Sequence, residues 1–281
     1  MTSARPTLSG IFLSGTGGPL AAVAWGPPVG TVPAFAALYV PPFGDEMNRS
    51  RRMAAQQARA LAMMGGLVLL LDLRGTGDSG GDHGDASWGG WKDDVTEAWS
   101  WLSARVDGPC VLWGLRLGGL LAADAVAEGR LAPAALLLWQ PTHSGRAFFN
   151  QYLRLATIQS RIGEAGRSGD ANGLRATLAA NSPVEVAGYE LGPSLVAGAD
   201  QSDLAKQQAP SCPVIWREVT PAATSSLSPA TQSLKQRWTT LGTHVDAAIV
   251  EGPSFWATQE IAEAPELVAD TTVSVSEHLR I

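Results

Sequence analysis

Along the chain, short apolar runs alternate with longer stretches in which apolar positions recur at helical spacing. The apolar runs predict strands at Leu8–Leu13, Leu20–Trp25, Ala34–Val40, Leu67–Leu71, Pro109–Trp113, Ala134–Trp139, Pro213–Val219 and Val245–Val250. Helical patterns are predicted at Arg51–Met64, Trp91–Ala104, Gly119–Ala125, Ser228–Leu241 and Glu260–Thr271. Strands separated by helices predict a mostly parallel sheet, because a parallel connection needs a crossover long enough to hold a helix. Helices on both faces bury both sides of such a sheet, so its strands read as continuous apolar runs rather than alternating ones.

From Thr142 to Pro210 the pattern changes. Polar helical segments at Arg146–Ile162 and Gly173–Ala180 are separated by Gly, Ser and Pro. The expectation is a sheet-and-helix core formed by residues 1–141 and 211–281, with residues 142–210 inserted as a helical cap. A solvent-exposed excursion with no role is the alternative.

Composition narrows the partners. A chain of 281 residues suits one α/β domain with an insertion. The net charge of −6 and the lack of Lys/Arg clusters interleaved with aromatics argue against nucleic acid. Met1–Gly18 lacks the basic segment and apolar core of a signal peptide, and no apolar run is long enough to span a membrane. Cys110 and Cys212 each open a predicted strand without framework spacing. They read as core residues in a reducing cytoplasm, with no disulfide, metal or cofactor expected. The ten tryptophans are numerous enough that some are expected to line a cleft, although core packing accounts for most.

The most informative stretch is Gly114-Leu115-Arg116-Leu117-Gly118, preceded by the run Cys110–Trp113 and followed by a helix-forming run. This is the strand, sharp turn and helix in which G-x-S-x-G lifts a serine above an α/β-hydrolase sheet. Arg116 occupies the serine position. A guanidinium stays protonated and cannot attack a carbonyl carbon. The acid expected after the strand Pro213–Val219 is missing from Thr220–Ser226, and the histidine expected after Val245–Val250 is missing from Glu251–Trp256. None of the histidines His83, His143, His244 and His278 falls in the triad slot. A protease stripped of its triad still retains roughly 10³–10⁴-fold catalysis over water, so slow or different chemistry stays open.

A second signature is Asp72-Leu73-Arg74-Gly75-Thr76-Gly77-Asp78-Ser79-Gly80, a D-x-R-G-x-G-x-S loop directly after a predicted strand. Its expected role is structural, the carboxylate and arginine tying the strand end to neighbouring loops. Ser79 also sits in Gly77-Asp78-Ser79-Gly80-Gly81, the string carried by trypsin-like proteases. Those proteases are all-β, and Ser79 lies in a glycine-rich loop rather than on a strand-to-helix turn, so it is not read as a nucleophile.

The remaining polar residues define a candidate site. In an α/β-hydrolase the loop Pro41–Arg49 supplies an oxyanion-hole amide and faces the elbow, which brings Phe43, Gly44 and Leu117 to a substrate. Asp45 and Glu46 then share a side of the sheet with Arg116. A buried Arg116 needs a counter-charge, since breaking a buried pair costs about 3–5 kcal/mol. Glu46 is the first expectation for that partner and an anionic ligand the second; a latch that merely fills a dead site is the plain alternative. Gln140 and His143 are expected beside the same cleft as substrate-binding residues. Trp88 and Trp91 are expected either to line it or to pack a helix. Asp93 and Asp94 are assigned to a helix's first turn, where the macrodipole suffices to explain them.

With these residues in view, the chain resembles the second type of exosortase A system-associated hydrolase. The resemblance rests on Tyr39-Val40-Pro41-Pro42-Phe43, Glu46-Met47-Asn48, Ser50-Arg51-Arg52-Met53, Gly77-Asp78-Ser79, the arginine elbow, Leu138-Trp139-Gln140-Pro141, Val184–Leu191 and Pro253-Ser254-Phe255-Trp256-Ala257-Thr258. It extends from about Pro6 to Thr272, and the arginine elbow belongs to the family pattern. It implies an α/β-hydrolase fold and a cytoplasmic protein of a bacterium that makes exopolysaccharide and exports PEP-CTERM proteins. The leading expectation is a protein without a working triad that binds an anionic small molecule at Arg116. A second is hydrolysis of an acyl ester, thioester or acetylated sugar by Glu46-activated water, with Arg116 stabilising the oxyanion. A third is an interaction module for a protein partner in the export system.

Overall fold

The computed structural model describes residues 5–163, 171–221 and 226–281. Ala222–Ser225, part of the slot where a triad acid was sought, lie outside the described residues. The sheet holds β1 (Thr7–Gly15), β2 (Gly18–Gly26), β3 (Phe35–Val40), β4 (Gly66–Leu71), β5 (Cys110–Leu115), β6 (Ala135–Trp139), β9 (Val214–Thr220) and β10 (Val245–Glu251). Their spatial order is β1-β2-β4-β3-β5-β6-β9-β10. The β1–β2 and β2–β4 pairs are antiparallel and every pair from β4 to β10 is parallel.

The strand alternation sorts the core into two layers. Ala36, Leu38 and Val40 of β3 face α2 (Trp88–Ser103) and α3 (Leu117–Ala127), on the side that also buries α7 (Pro229–Thr240). Phe35, Ala37 and Tyr39 face α1 (Asp45–Met63) and α8 (Pro265–Leu279). Both faces are dry, which is why β3 shows no polar alternation.

Three helix boundaries differ from the sequence reading. α1 begins at Asp45, not Arg51, because Gly44 takes a positive φ of 57° and turns the chain straight into the helix. The early polar residues had read as loop, since Met47 is the one apolar side chain among them. α2 begins at Trp88, capped by Ser87, whose hydroxyl accepts from Gly90 N at 3.1 Å. α8 runs Pro265–Leu279 rather than Glu260–Thr271, with Pro265 in the first turn where its missing N–H costs nothing.

Between β6 and β9 the chain leaves the sheet. It forms α4 (Gly145–Gly163), α5 (Ala171–Ala179), a hairpin of β7 (Val184–Val186) and β8 (Tyr189–Leu191), and α6 (Pro193–Ala199). The hairpin and α6 were not foreseen. Ala187 and Gly188, both at positive φ, make the two-residue turn whose twist suits a hairpin. A β-bridge between Ser144 and Asp203 joins the two ends of the insertion to each other, and the insertion meets the core at Glu190, whose carbonyl lies 2.7 Å from His83 Nδ1.

Candidate active site

The turn between β5 and α3 is built from close approaches. A Cβ on Gly118 would lie 2.3 Å from Pro41 O, and one on Gly114 would lie 2.5 Å from Gly119 Cα. Only glycine fits at either place. The crowding forces the residue between them to φ 54°, ψ −121°, and that residue is Arg116. Such a conformation costs a non-glycine residue about 1–3 kcal/mol and persists only where its surroundings enforce it. Here Arg116 N donates to Trp139 O at 3.1 Å and Arg116 O accepts from Thr142 N at 3.0 Å, clamping the apex to the end of β6. Gln140, at φ 40°, completes the clamp: its N donates to Arg217 O and its side-chain oxygen accepts from Val219 N at 2.7 Å.

The Arg116 side chain is only partly engaged. Its Nε donates to Glu46 Oε1 at 3.2 Å, its Nη1 reaches Gln140 O at 3.5 Å, and the Trp256 ring centroid lies 5.5 Å from Cζ. The last contact falls within cation–π range. About a fifth of each side chain of the Arg116–Glu46 pair remains exposed. The other oxygen, Glu46 Oε2, is buried without a hydrogen-bond partner among the described residues. Burial pushes the Glu46 carboxyl above its ordinary range, and the attractions of Arg116 and Arg49 only partly oppose this. The pair expected from the sequence therefore exists, but it is a single-point contact with an orphaned lone pair.

Two cavities meet at this arginine. The larger, about 730 Å³, is lined by Arg116, Gln140, Thr142, His143 and Glu218 among others. The smaller, about 260 Å³, is lined by Phe43, Glu46, Tyr152 and Trp256, and Arg116, Phe148 and Gln151 border both. Within the larger one, Thr142 Oγ1 is buried with no partner among the described residues. His143 Nε2 lies 3.3 Å from Thr231 Oγ1, and its ring meets Trp216 edge-on. Burial lowers the His143 pKa, which Glu218 and Asp203 raise and Arg116 lowers further.

The sequence-predicted residues fare unequally. Arg116, Glu46, Gln140 and His143 come together. Phe43 borders the smaller cavity but is held in an aromatic cluster, its ring centroid 5.1 Å from that of Tyr152. The Leu117 side chain is buried in the core and borders neither cavity, leaving only its backbone amide in the first turn of α3. Gly44 serves as the residue that starts α1. Trp88 and Trp91 pack instead of lining the cleft, with Trp88 Nε1 donating to Asp124 and Trp91 Nε1 to Arg74 O. Asp93 and Asp94 lie beyond the first turn of α2, so the macrodipole is not their explanation. Asp93 pairs with Arg130, and the fully buried Asp94 accepts from Arg74 N at 2.9 Å and Arg74 Nε at 2.8 Å. The glycine loop is structural throughout: Asp72 accepts from Arg51 Nη2, and Ser79 Oγ donates to Asp72 O while accepting from Ala21 N.

Glu218, Thr231 and Trp256 were missed as site residues. A signal for Glu218 did exist, since a strand reading Val-Ile-Trp-Arg-Glu-Val-Thr holds two charges that burial forbids unless each finds partners. Among the described residues, no group of three or more His, Cys, Asp or Glu is arranged to hold a metal ion, and no helix is long and apolar enough to cross a membrane.

A mostly parallel sheet between helices, with a strained strand-to-helix turn facing a cleft, defines an α/β hydrolase. Residues 46–217, more than half of the chain, match the Hydrolase_4 family, described as serine aminopeptidase, S33, and the chain belongs to that family. Among solved structures it is similar to Est1E from Butyrivibrio proteoclasticus, determined with ferulic acid bound, at 17% identity and TM-score 0.67, covering 96% of this chain and 98% of that one. It is also similar to XC6422 from Xanthomonas campestris, an α/β serine hydrolase without a lid, at 19% identity and TM-score 0.57, covering 97% and 94%. A third is carboxyl esterase 2 from Tuber melanosporum, at 16% identity and TM-score 0.58, covering 99% and 87%. These likenesses concern the fold. No curated protein sequence matches the chain.

Proposed function

We propose that this protein binds a small anionic molecule in the cleft at Arg116, the arginine standing where a serine hydrolase of this fold carries its nucleophile. The carrying observation is the partial engagement of Arg116. Only its Nε–H meets a carboxylate and Nη1 reaches one distant carbonyl, while the side chain borders both cavities. A carboxylate, phosphate or sulfonate takes the remaining donors as a charge-assisted, two-point contact. The buried, unpartnered Thr142 hydroxyl in the larger cavity gives the ligand a second polar anchor. Residues 142–210 act as the cap over this cleft. The sequence resemblance supports a cytoplasmic setting linked to exopolysaccharide and PEP-CTERM export, which is the context in which to seek the physiological ligand.

The burial of Glu46 speaks against it as a base for water activation, because Oε1 is paired with Arg116 and Oε2, the unpaired oxygen, is closed off from solvent. Calorimetric titration with succinate, ethanesulfonate and sugar phosphates tests the binding reading. Wild type should bind at least one with Kd below about 1 mM. Arg116→Ala should weaken that binding about tenfold or more, a loss of roughly 1.4 kcal/mol. Equal binding by wild type and Arg116→Ala would sink the reading.

A further inference from the structure

Beside Arg116, two side chains that line the larger cavity, His143 and Glu218, are joined through the buried Thr231 behind them. The Glu218 carboxylate accepts from Ser228 N at 2.8 Å, from Ser228 Oγ at 2.7 Å and from Thr231 Oγ1 at 2.6 Å. Thr231 Oγ1 in turn lies 3.3 Å from His143 Nε2. The contact lengths assign the protons. A hydroxyl has one hydrogen, and the 2.6 Å contact to the Glu218 carboxylate takes it in preference to the 3.3 Å contact to the ring, so Thr231 offers the imidazole only a lone pair. Nε2 must therefore be the protonated nitrogen, and Nδ1 of the neutral ring is left as the acceptor. Burial and Arg116 keep the ring neutral around pH 7, against the opposing pull of Glu218 and Asp203.

We propose that His143 is the general base of a hydrolytic reaction in this cavity, with Thr231 and Glu218 as the residues that position it. The substrate is an ester whose free acid group is held at Arg116, so the proposal rests on the anion-binding reading for its specificity. His143 Nδ1 takes a proton from water, and the water oxygen bonds to the acyl carbon. The carbonyl oxygen gains the negative charge, which falls to the Leu117 and Gly118 amides at the start of α3, since the next two, Gly119 and Leu120, already donate to Arg116 O. The acyl C–O bond then breaks, and the departing alkoxide takes the proton back from Nδ1. The products are an acid and an alcohol, with no covalent enzyme intermediate and no serine required. The Glu218 carboxylate, linked to Nε2 through the Thr231 hydroxyl, stabilises the imidazolium that forms in passing without taking its proton, which is the work a triad acid performs from a different position.

The test uses the mono-4-nitrophenyl ester of succinic acid, with 4-nitrophenyl acetate as the uncharged comparison and succinate binding by calorimetry as a separate readout. Wild type should hydrolyse the succinate ester faster than the acetate. His143→Gln should lower kcat by about 10²-fold or more, the usual worth of a general base. It should leave the circular dichroism spectrum intact. Thr231→Val should lower activity and move the acid limb of kcat/KM to lower pH, because the imidazolium loses its link to Glu218; Thr231→Ser should restore both. A merely structural threonine would not move that limb. The proposal is overturned if wild type hydrolyses neither ester, or if folded His143→Gln matches wild type. His143-dependent hydrolysis of the acetate without any succinate binding would keep the general base and discard the anion reading. Succinate binding through Arg116 with no turnover would do the reverse.

Discussion

Arg217, in the middle of β9, and Arg116, in the turn after β5, are opposites in how their donors are used. Arg217 is almost wholly buried and all five N–H donors have acceptors. Its Nε meets Asp270, Nη1 meets Trp216 O and Asp246 O, and Nη2 meets Asp246 and Ser274. Arg116 sits in a strained turn with one carboxylate oxygen, one long carbonyl contact and an aromatic face. A saturated guanidinium is a fastener joining β9, β10 and α8. An unsaturated one, fixed by its backbone beside two cavities, is equipped to hold something else. The number of spare donors separates the two roles, where charge and residue type do not.

The comparison breaks most visibly at the fastener. Arg217→Ala removes five hydrogen bonds of a buried guanidinium while Asp246 and Asp270, each about a third exposed, keep solvent contact, and it should cost about 2–3 kcal/mol of stability, read by chemical denaturation. A cost below that of Arg116→Ala would refute the distinction. Arg116→Ala should cost about 1–2 kcal/mol, less than a fully buried pair because solvent reaches both partners. Arg116→Gly should be about 1 kcal/mol more stable than Arg116→Ala, since glycine accepts the positive φ without strain.

A third change sharpens the contrast through pH. Glu46 titrates above its ordinary 4.5 because burial disfavours its charge. The folded state thus binds this proton more readily than the unfolded chain, and its share of stability grows as pH falls from the raised value toward 4.5. Neutralising Glu46 also frees Arg116. Ethanesulfonate, whose own charge is constant, should therefore bind wild type more tightly as pH falls through that window. Glu46→Gln should bind tightly throughout, with the Glu46-linked pH dependence gone; an unchanged pH profile in Glu46→Gln would remove Glu46 from the account. The smallest effect is expected at Thr142→Val. Deleting an already unsatisfied hydroxyl should change stability by less than about 1 kcal/mol while weakening ligand binding. A large stability loss would mean the hydroxyl is structural.

The sheet was legible from the chain because strands buried on both faces announce themselves as apolar runs. The elbow was legible because two glycines with no room for a Cβ bracket its apex. Glu46 was found by asking which carboxylate a buried arginine could reach, although its place in the first turn of α1 was not, since Gly44 starts that helix by backbone conformation alone. Glu218 was not legible because a triad acid is expected past the end of β9, whereas this carboxylate lies within the strand. Its link to His143 runs through Thr231 on α7, a contact between three distant segments that no local spacing encodes. The insertion's hairpin turned on Ala187 taking a positive φ, a conformation its composition does not advertise.

The crowding around Gly114 and Gly118 has an evolutionary consequence. A mutation that altered the turn itself would collide with Pro41 and Gly119 and be lost with the fold, so inherited change here is funnelled into the one side chain at the apex. That residue can be exchanged while the main chain around it stays in place. A lineage built on this socket can therefore change the side chain presented at the apex by single substitutions that keep the turn, although a serine restored there would still lack the triad acid and histidine.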